Sequence, residues 1–220
     1  YSVSPEILIP YLPKGTSLDL YQNKCYASVV GFLFQNTKVL GVKIPYHINF
    51  EEVNLRFYVK FQENDTWKRG VVFIKEIVPK PAITFIANAL FKENYVTTKM
   101  NHNIISNKFN TVISYKWQTH KLWQEISVTT NLTSHIPSPN SLESFITEHY
   151  YGYTKDAFKT YEYEVQHPSW ELFKVLDYEI NIDFGLNYGA HFIILNRIKP
   201  SSLFVAKGSK INVLNKRCIQ

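Results

Sequence analysis

The chain has 220 residues, 45% of them hydrophobic and 19% charged, with a formal net charge of +6. This length fits one large domain, and the composition excludes a disordered chain; no run approaches the ~20 apolar residues of a membrane-spanning helix. Aromatic residues reach 15%, which leans the chain toward β structure, because rings and branched side chains suit a pleated surface.

Residues 4–10 (Ser-Pro-Glu-Ile-Leu-Ile-Pro) predict one or two helical turns, with Ser4 as cap and Pro5 at the first helical position; Pro10 and Pro13 end it. Residues 18–21 and 25–34 read as a hairpin around Gln22-Asn23-Lys24. The clearest strand is 50–61, where Val53, Leu55, Phe57, Val59 and Phe61 alternate with Glu52, Asn54, Arg56, Tyr58 and Lys60. A period of two sends each set to its own face. Asn64-Asp65 turns the chain, and 67–78 returns as the partner strand. Pro79-Lys80-Pro81 opens a helix ending near Glu93, with Ile83, Ile86, Ala87, Leu90 and Phe91 as its apolar stripe.

Three strands follow at 95–105, 110–119 and 122–130, with His120-Lys121 at the tip of a tight hairpin. After a loop at 136–140, Ser141 caps a second short helix running to His149, with Leu142, Phe145 and Ile146 on its buried side. Strand-like runs at 150–155, 161–167, 170–184, 191–195, 202–206 and 210–214 complete a single domain over 1–220. The chain begins at Tyr1 rather than Met, which leaves room for a preceding segment.

Lys and Arg are spread along the chain, and their densest cluster, 207–217, is diluted by Ile, Val and Leu. A lysine-rich soluble surface is therefore favoured over a nucleic-acid or anionic-membrane face. Two cysteines, Cys25 and Cys218, with no CxxC, fit a reducing, cytoplasmic compartment better than a disulfide scaffold. The seven histidines form no HxH or HExxH pattern, so no metal is expected, and no phosphate-cradling glycine motif implies a nucleotide cofactor.

Arg56 is the sharpest candidate. If the polar face of its strand lines a cavity, Arg56 is a fixed cation able to grip a carboxylate or phosphate, with Asn54 and Tyr58 beside it. Glu52 shares that face but lies ~13 Å away along the strand. A solvated outer face and a buried structural ion pair are the competing readings. His149, Tyr151 and Tyr153 could orient a polar ligand or move a proton, or could be aromatics at a sheet edge. Tyr115, Trp117, Trp123 and Glu125 could wall a cavity, core packing being the plainer reading. His167, before Pro168, reads as a turn residue or an acid–base group.

Several segments resemble the YqjF-like family, a group known only as a domain of unknown function. They are Leu12-Pro13-Lys14-Gly15-Thr16-Ser17-Leu18-Asp19, Glu52-Val53-Asn54-Leu55-Arg56-Phe57-Tyr58-Val59, Gly70-Val71-Val72-Phe73, Glu148-His149-Tyr150-Tyr151-Gly152-Tyr153, His167-Pro168-Ser169-Trp170 and Lys199-Pro200-Ser201-Ser202-Leu203 with Lys207-Gly208-Ser209. The family is similar to acetoacetate decarboxylase. The resemblance implies a mainly β (α+β) domain, an antiparallel closed or cone-shaped β-barrel around a cavity, with helices packed outside. The decarboxylase works through a buried Schiff-base lysine whose pKa a neighbouring lysine lowers. That pair follows the helix that corresponds here to 81–91, where this chain has Lys92-Glu93-Asn94-Tyr95-Val96. Lys92 and Lys99 are near but out of register, so the fold carries over and the lysine chemistry does not. The expected function is binding of an anionic small molecule in the cavity, enzymatic or not, without a cofactor. The alternatives are a Schiff-base decarboxylase or aldolase using Lys99, and a basic-surface binder. Self-association is left open.

Overall fold

The computed structural model describes residues 1–38, 46–214 and 216–219. β1 (Ser2–Val3) leads through Ser4 into α1 (Pro5–Leu8) and a 3-10 turn at Ile9–Tyr11. Next come β2 (Ser17–Leu18), β3 (Cys25–Phe34), β4 (Phe50–Glu63) and β5 (Thr66–Val78). α2 (Pro81–Ile86) widens into a π-helical turn at Ala87–Phe91. β6 (Tyr95–Thr97), β7 (Met100–Ser106), β8 (Thr111–Thr119) and β9 (Leu122–His135) follow. α3 (Leu142–Thr147) precedes β10 (Tyr151–Asp156) and β11 (Lys159–Gln166). The chain closes with β12 (Leu172–Asn181), α4 (Phe184–Tyr188), a 3-10 stretch at Ala190–Asn196, and the short β13 (Phe204–Ala206), β14 (Asn212–Val213) and β15 (Arg217–Cys218).

Ten strands form one sheet in the order β1-β3-β4-β5-β10-β11-β14, with β2 beside β4, β6 beside β5 and β15 beside β11; the other five run β13-β12-β9-β8-β7. Pairing is antiparallel except where β5 meets β6 and β10. The mainly β class with few helices is therefore as expected. The closed barrel is not formed among the described residues: both sheets run from one free edge to another.

Two hairpins have two-residue tips, Asn64-Asp65 and His120-Lys121. All four residues sit at positive φ (47°, 62°, 48° and 68°), as a turn matched to the strand twist requires. The core lies between the sheets. Val53, Leu55, Phe57 and Val59 of β4 are fully buried and share a cluster with Tyr115 and Trp117 of β8 and with Phe184, Tyr188, Phe192 and Leu195. Each such side chain contributes roughly 1.5–3 kcal/mol by leaving water.

Five sequence expectations change. Residues 18–21 do not pair with 25–34. The tight turn at Gln22-Asn23 forms, closed by Tyr21 and Lys24, but Leu18 pairs with Val59 and Ala27 with Phe57. β2 and β3 thus lie end to end along one edge of β4, which leaves neither free for the other. The run 95–105 splits, because the chain changes partner at Thr98-Lys99: the Thr98 amide donates to Val78, while the Lys99 carbonyl accepts from Gln118. Residues 191–195 are 3-10 helix, with Phe192 and Leu195 three apart on the core side; a short apolar run does not reveal its own period. The 170–184 run ends as a strand at Asn181, where Asp183 caps α4 by accepting from the Leu186 amide, and 210–214 pairs only at Asn212–Val213.

Candidate functional site

The second face of β4 is as buried as the first. Glu52 and Asn54 are each 1% exposed, Tyr58 also 1%, and only Arg56 among them is half-buried. α3 covers one end of this face, where Tyr58 packs with Tyr26, Val71, Phe145 and Ile146. The solvated-face reading of Arg56 is thereby removed. So is the ion-pair reading among the described residues, since no carboxylate lies within salt-bridge distance of Arg56. Its guanidinium lies 5.9 Å from the Tyr58 ring centroid, and its Nε is buried without a hydrogen-bond partner.

Beyond Arg56 the face holds three acids. Glu52 accepts from Asn54 Nδ2 at 2.9 Å and from the Tyr95 hydroxyl at 3.0 Å. Glu76 stands opposite Asn54 in the β4–β5 register, and Glu93 accepts from Thr154 Oγ1 at 2.8 Å and from Tyr163. Burial is the main reason their protons are held tightly. It pushes Glu52 up to about 7 against the hydrogen bonds from Asn54 and Tyr95, and Glu93 to about 7 against those from Thr154 and Tyr163. Glu76 is raised well above the carboxylate range by burial and by the charges of Glu93 and Glu52. The hydroxyls of Tyr95 and Tyr163 are raised as well, first by burial and then by the acids around them.

Two local irregularities assemble this trio. A bulge leaves Ile74 without a partner between the Arg56–Phe73 and Leu55–Lys75 pairs. Unbulged, the register would set Lys75 opposite Asn54; with the bulge Glu76 takes that place and Lys75 turns to the core side, where its ammonium donates to the Asn187 carbonyl. Asn94 clamps the bulge, its Nδ2 donating to the Ile74 carbonyl at 2.6 Å and its carbonyl accepting from the Glu76 amide at 3.0 Å. The π-helical turn, followed by Lys92 at φ 60°, then swings Glu93 inward.

Sequence reasoning missed Glu76 and Glu93. The available signal was an acid set among Phe73, Ile74, Ile77 and Val78, where a solvated strand has no reason for so apolar a setting. Lys92 and Lys99, the Schiff-base candidates, are both exposed.

His149 closes the α3 end. Its ring is 4.7 Å from that of Tyr58, its Nε2 lies 3.1 Å from Asp19 Oδ2, and its Nδ1 is buried without a partner. Burial lowers His149 to about 4 despite Asp19, so it is neutral at physiological pH. Burial would raise Asp19, but hydrogen bonds from His149 and Arg69 outweigh it and leave the carboxyl below its usual range; Arg69 Nε is 2.6 Å away.

The remaining candidates lie elsewhere. Trp117 is fully buried on the core side and donates from Nε1 to Asn187 Oδ1 at 2.8 Å; Tyr115 packs in the same core. Tyr151 and Tyr153 also face the core cluster, with the Tyr153 hydroxyl donating to Glu162 at 2.9 Å. Tyr163, from the opposite face of its strand, lines a surface cleft of about 510 Å³. Trp123 is half exposed, and Glu125 pairs with Lys116. His167 is half-buried, stacked between Tyr150 and Trp170. In the basic 207–217 segment Lys207 pairs with Glu171, and Arg217 with Glu63 and Glu162. Cys25 is buried and Cys218 exposed, and no disulfide joins them. Among the described residues no group of three or more His, Cys, Asp or Glu could hold a metal, and no helix is long and apolar enough to cross a membrane.

Residues 1–210 match the DUF2071 family, described as an uncharacterized conserved protein. No curated protein matches the sequence. Similar solved structures share the fold at low identity. Acetoacetate decarboxylase from Legionella pneumophila aligns at a TM-score of 0.54 and 8% identity, over 82% of this chain and 68% of that one. The enduracididine biosynthesis enzyme MppR complexed with pyruvate aligns at 0.55 and 12%, over 82% and 72%. An acetoacetate decarboxylase-like enzyme from Sphingomonas wittichii RW1 aligns at 0.53 and 12%, over 81% and 74%.

Proposed function

The chain belongs to the DUF2071 family of uncharacterized conserved proteins, and from that premise we propose that it binds an anionic small molecule in the cradle on the second face of β4, with Arg56 gripping the anion. The observation that carries this reading is Arg56 itself: a half-buried cation in a largely dehydrated polar cluster, its Nε buried and unmatched, with no carboxylate partner among the described residues. An unmatched buried donor costs about 1–3 kcal/mol, and a ligand carboxylate that fills it recovers that cost as affinity. The three acids beside it suit proton exchange with a bound molecule near neutral pH, since Glu52 and Glu93 both titrate at about 7. That MppR was solved with pyruvate supports including a keto acid among the ligands tried. A lysine-dependent reaction is not favoured, because the inward position after the helix is Glu93 and Lys92 and Lys99 face solvent. Two cysteines in 220 residues with no CxxC are in keeping with a cytoplasmic protein.

Calorimetric titration of wild type and Arg56→Gln with pyruvate, butyrate and pentanoate tests the reading. Wild type is expected to bind at least one of these carboxylates, and Arg56→Gln to bind it ~10–100-fold more weakly, the range of a lost charged hydrogen bond. The melting temperature of the variant should hold, because no ion pair is broken. Equal affinity of the two proteins sinks the assignment of Arg56, and absence of any carboxylate binding sinks the function.

A further inference from the structure

The atoms that the cradle leaves unmatched are of two kinds. Arg56 Nε is a donor without an acceptor, while Asn54 Oδ1, Glu76 Oε2 and, at the α3 end, His149 Nδ1 are buried atoms without a donor partner. Asn54 and Glu76 face each other across β4 and β5, two residues from Arg56 on the same face, ~7 Å along the strand. Resting on the function proposed above, we infer that the ligand is an aminocarboxylate: its carboxylate lies on Arg56 and its ammonium group lies between Asn54 Oδ1 and Glu76 Oε2.

A bare carboxylate satisfies Arg56 and leaves both acceptors unmatched. It also tips a site in which Glu76 holds its proton and Glu52 and Glu93 are partly ionised at neutral pH further toward negative charge, with Lys216 the further cation acting on Glu93. A neutral hydroxyl group supplies a donor but does nothing for that imbalance. An ammonium group does both. Of the native donors nearby, Asn54 Nδ2 is on Glu52 and the Tyr163 hydroxyl on Glu93, while the one proton of the Tyr95 hydroxyl is shared between Glu52 and Glu76 and leaves Glu76 Oε2 unmatched. A cation beside Glu76 stabilises its carboxylate form, so binding displaces the proton that burial and the neighbouring acids hold there.

Titrating the wild-type protein with pentanoate, 5-aminopentanoate, 4-aminobutyrate and butylamine at pH 7, in two buffers of different ionisation enthalpy, tests this. At least one aminocarboxylate is expected to bind ~10-fold or more tightly than pentanoate, with net proton release that pentanoate lacks. In Glu76→Gln the preference for the aminocarboxylate over pentanoate, both measured on the variant, should fall to about twofold. Parity between aminocarboxylate and carboxylate in the wild type overturns the inference, as does binding without proton release or a preference that survives Glu76→Gln. Carboxylate binding that still depends on Arg56 would then leave the proposed function standing. No binding of any carboxylate overturns both. The proton release needs no variant, so the inference stays exposed even if Glu76→Gln does not fold.

Discussion

Glu52 and His149 titrate in opposite senses, and each leaves its own mark on stability. Glu52 holds its proton to about pH 7 in the folded chain against an ordinary value of 4.5. Between those values the folded state keeps a proton that the unfolded state has lost, so this residue lowers stability as pH rises from 4.5 through 7, with the full penalty above 7. His149 is lowered from 6.5 to about 4, so the folded state binds fewer protons in that window, and stability rises with pH until both states are neutral. The windows overlap, and the wild-type curve alone does not separate them. Glu52→Gln does, since Gln keeps its oxygen as acceptor for Asn54 Nδ2, sets its amide NH2 toward the Tyr95 oxygen, and cannot ionise. Urea unfolding at half-unit steps from pH 4.5 to 8 should show the variant gaining on wild type up to about pH 7 and then running parallel. A constant difference would mean that Glu52 titrates as an ordinary carboxylate. At this scale the sequence was half legible. Strict alternation around Arg56 marked the right strand and grouped Glu52, Asn54, Arg56 and Tyr58 on one face, but an alternating pattern does not say whether its polar side meets water or a second layer.

At the scale of elements, function depends on two departures from regularity. The bulge at Ile74 decides whether Asn54 meets Glu76 or Lys75, and the π-helical turn decides whether residue 93 faces in. Neither leaves a mark in a periodicity scan, which reads 67–78 as one strand and a single helix from about 80 to near Glu93; hence Glu76 and Glu93 were the acids missed. Asn94 is the residue on which both converge, since it follows Glu93 and holds both the bulged carbonyl and the Glu76 amide. Asn94→Ala leaves the Ile74 carbonyl short of a donor and is expected to cost about 1–3 kcal/mol in chemical denaturation. It should also weaken carboxylate binding, because the face beside Arg56 loses its fixed register. Asn94→Asp keeps an acceptor but not the donor, and should resemble Ala rather than wild type. If both variants bind like wild type, the bulge does not depend on Asn94.

For the molecule as a whole, β4 and β5 are shared walls: one face belongs to the core between the sheets and the other to the cradle. The family resemblance implied a barrel around a cavity, with Tyr115 and Trp117 either walling it or packing the core and Tyr151 and Tyr153 either orienting a ligand or lying at a sheet edge. With the sheets open, these aromatics instead fall on the core side, across the strand from Arg56. That division predicts a separation of effects. Trp117→Phe removes the Nε1 donor from Asn187 Oδ1, which keeps the Thr119 hydroxyl at 2.6 Å and so is not left bare. The variant also leaves space in a fully buried position, and together these should cost about 1–4 kcal/mol. Tyr153→Phe takes one donor from Glu162, which retains Lys68 and Arg217, and should cost less, about 0.5–1.5 kcal/mol. Because the core cluster spans both sheets, unfolding of each variant should remain a single transition, with far- and near-ultraviolet dichroism coincident. Titrated below its melting temperature, each should bind carboxylates as wild type does, whereas Arg56→Gln should lose binding without losing stability. A core variant that stays folded yet binds several-fold more weakly would show that the two faces are coupled through β4, and that the cradle is set by the packing beneath it.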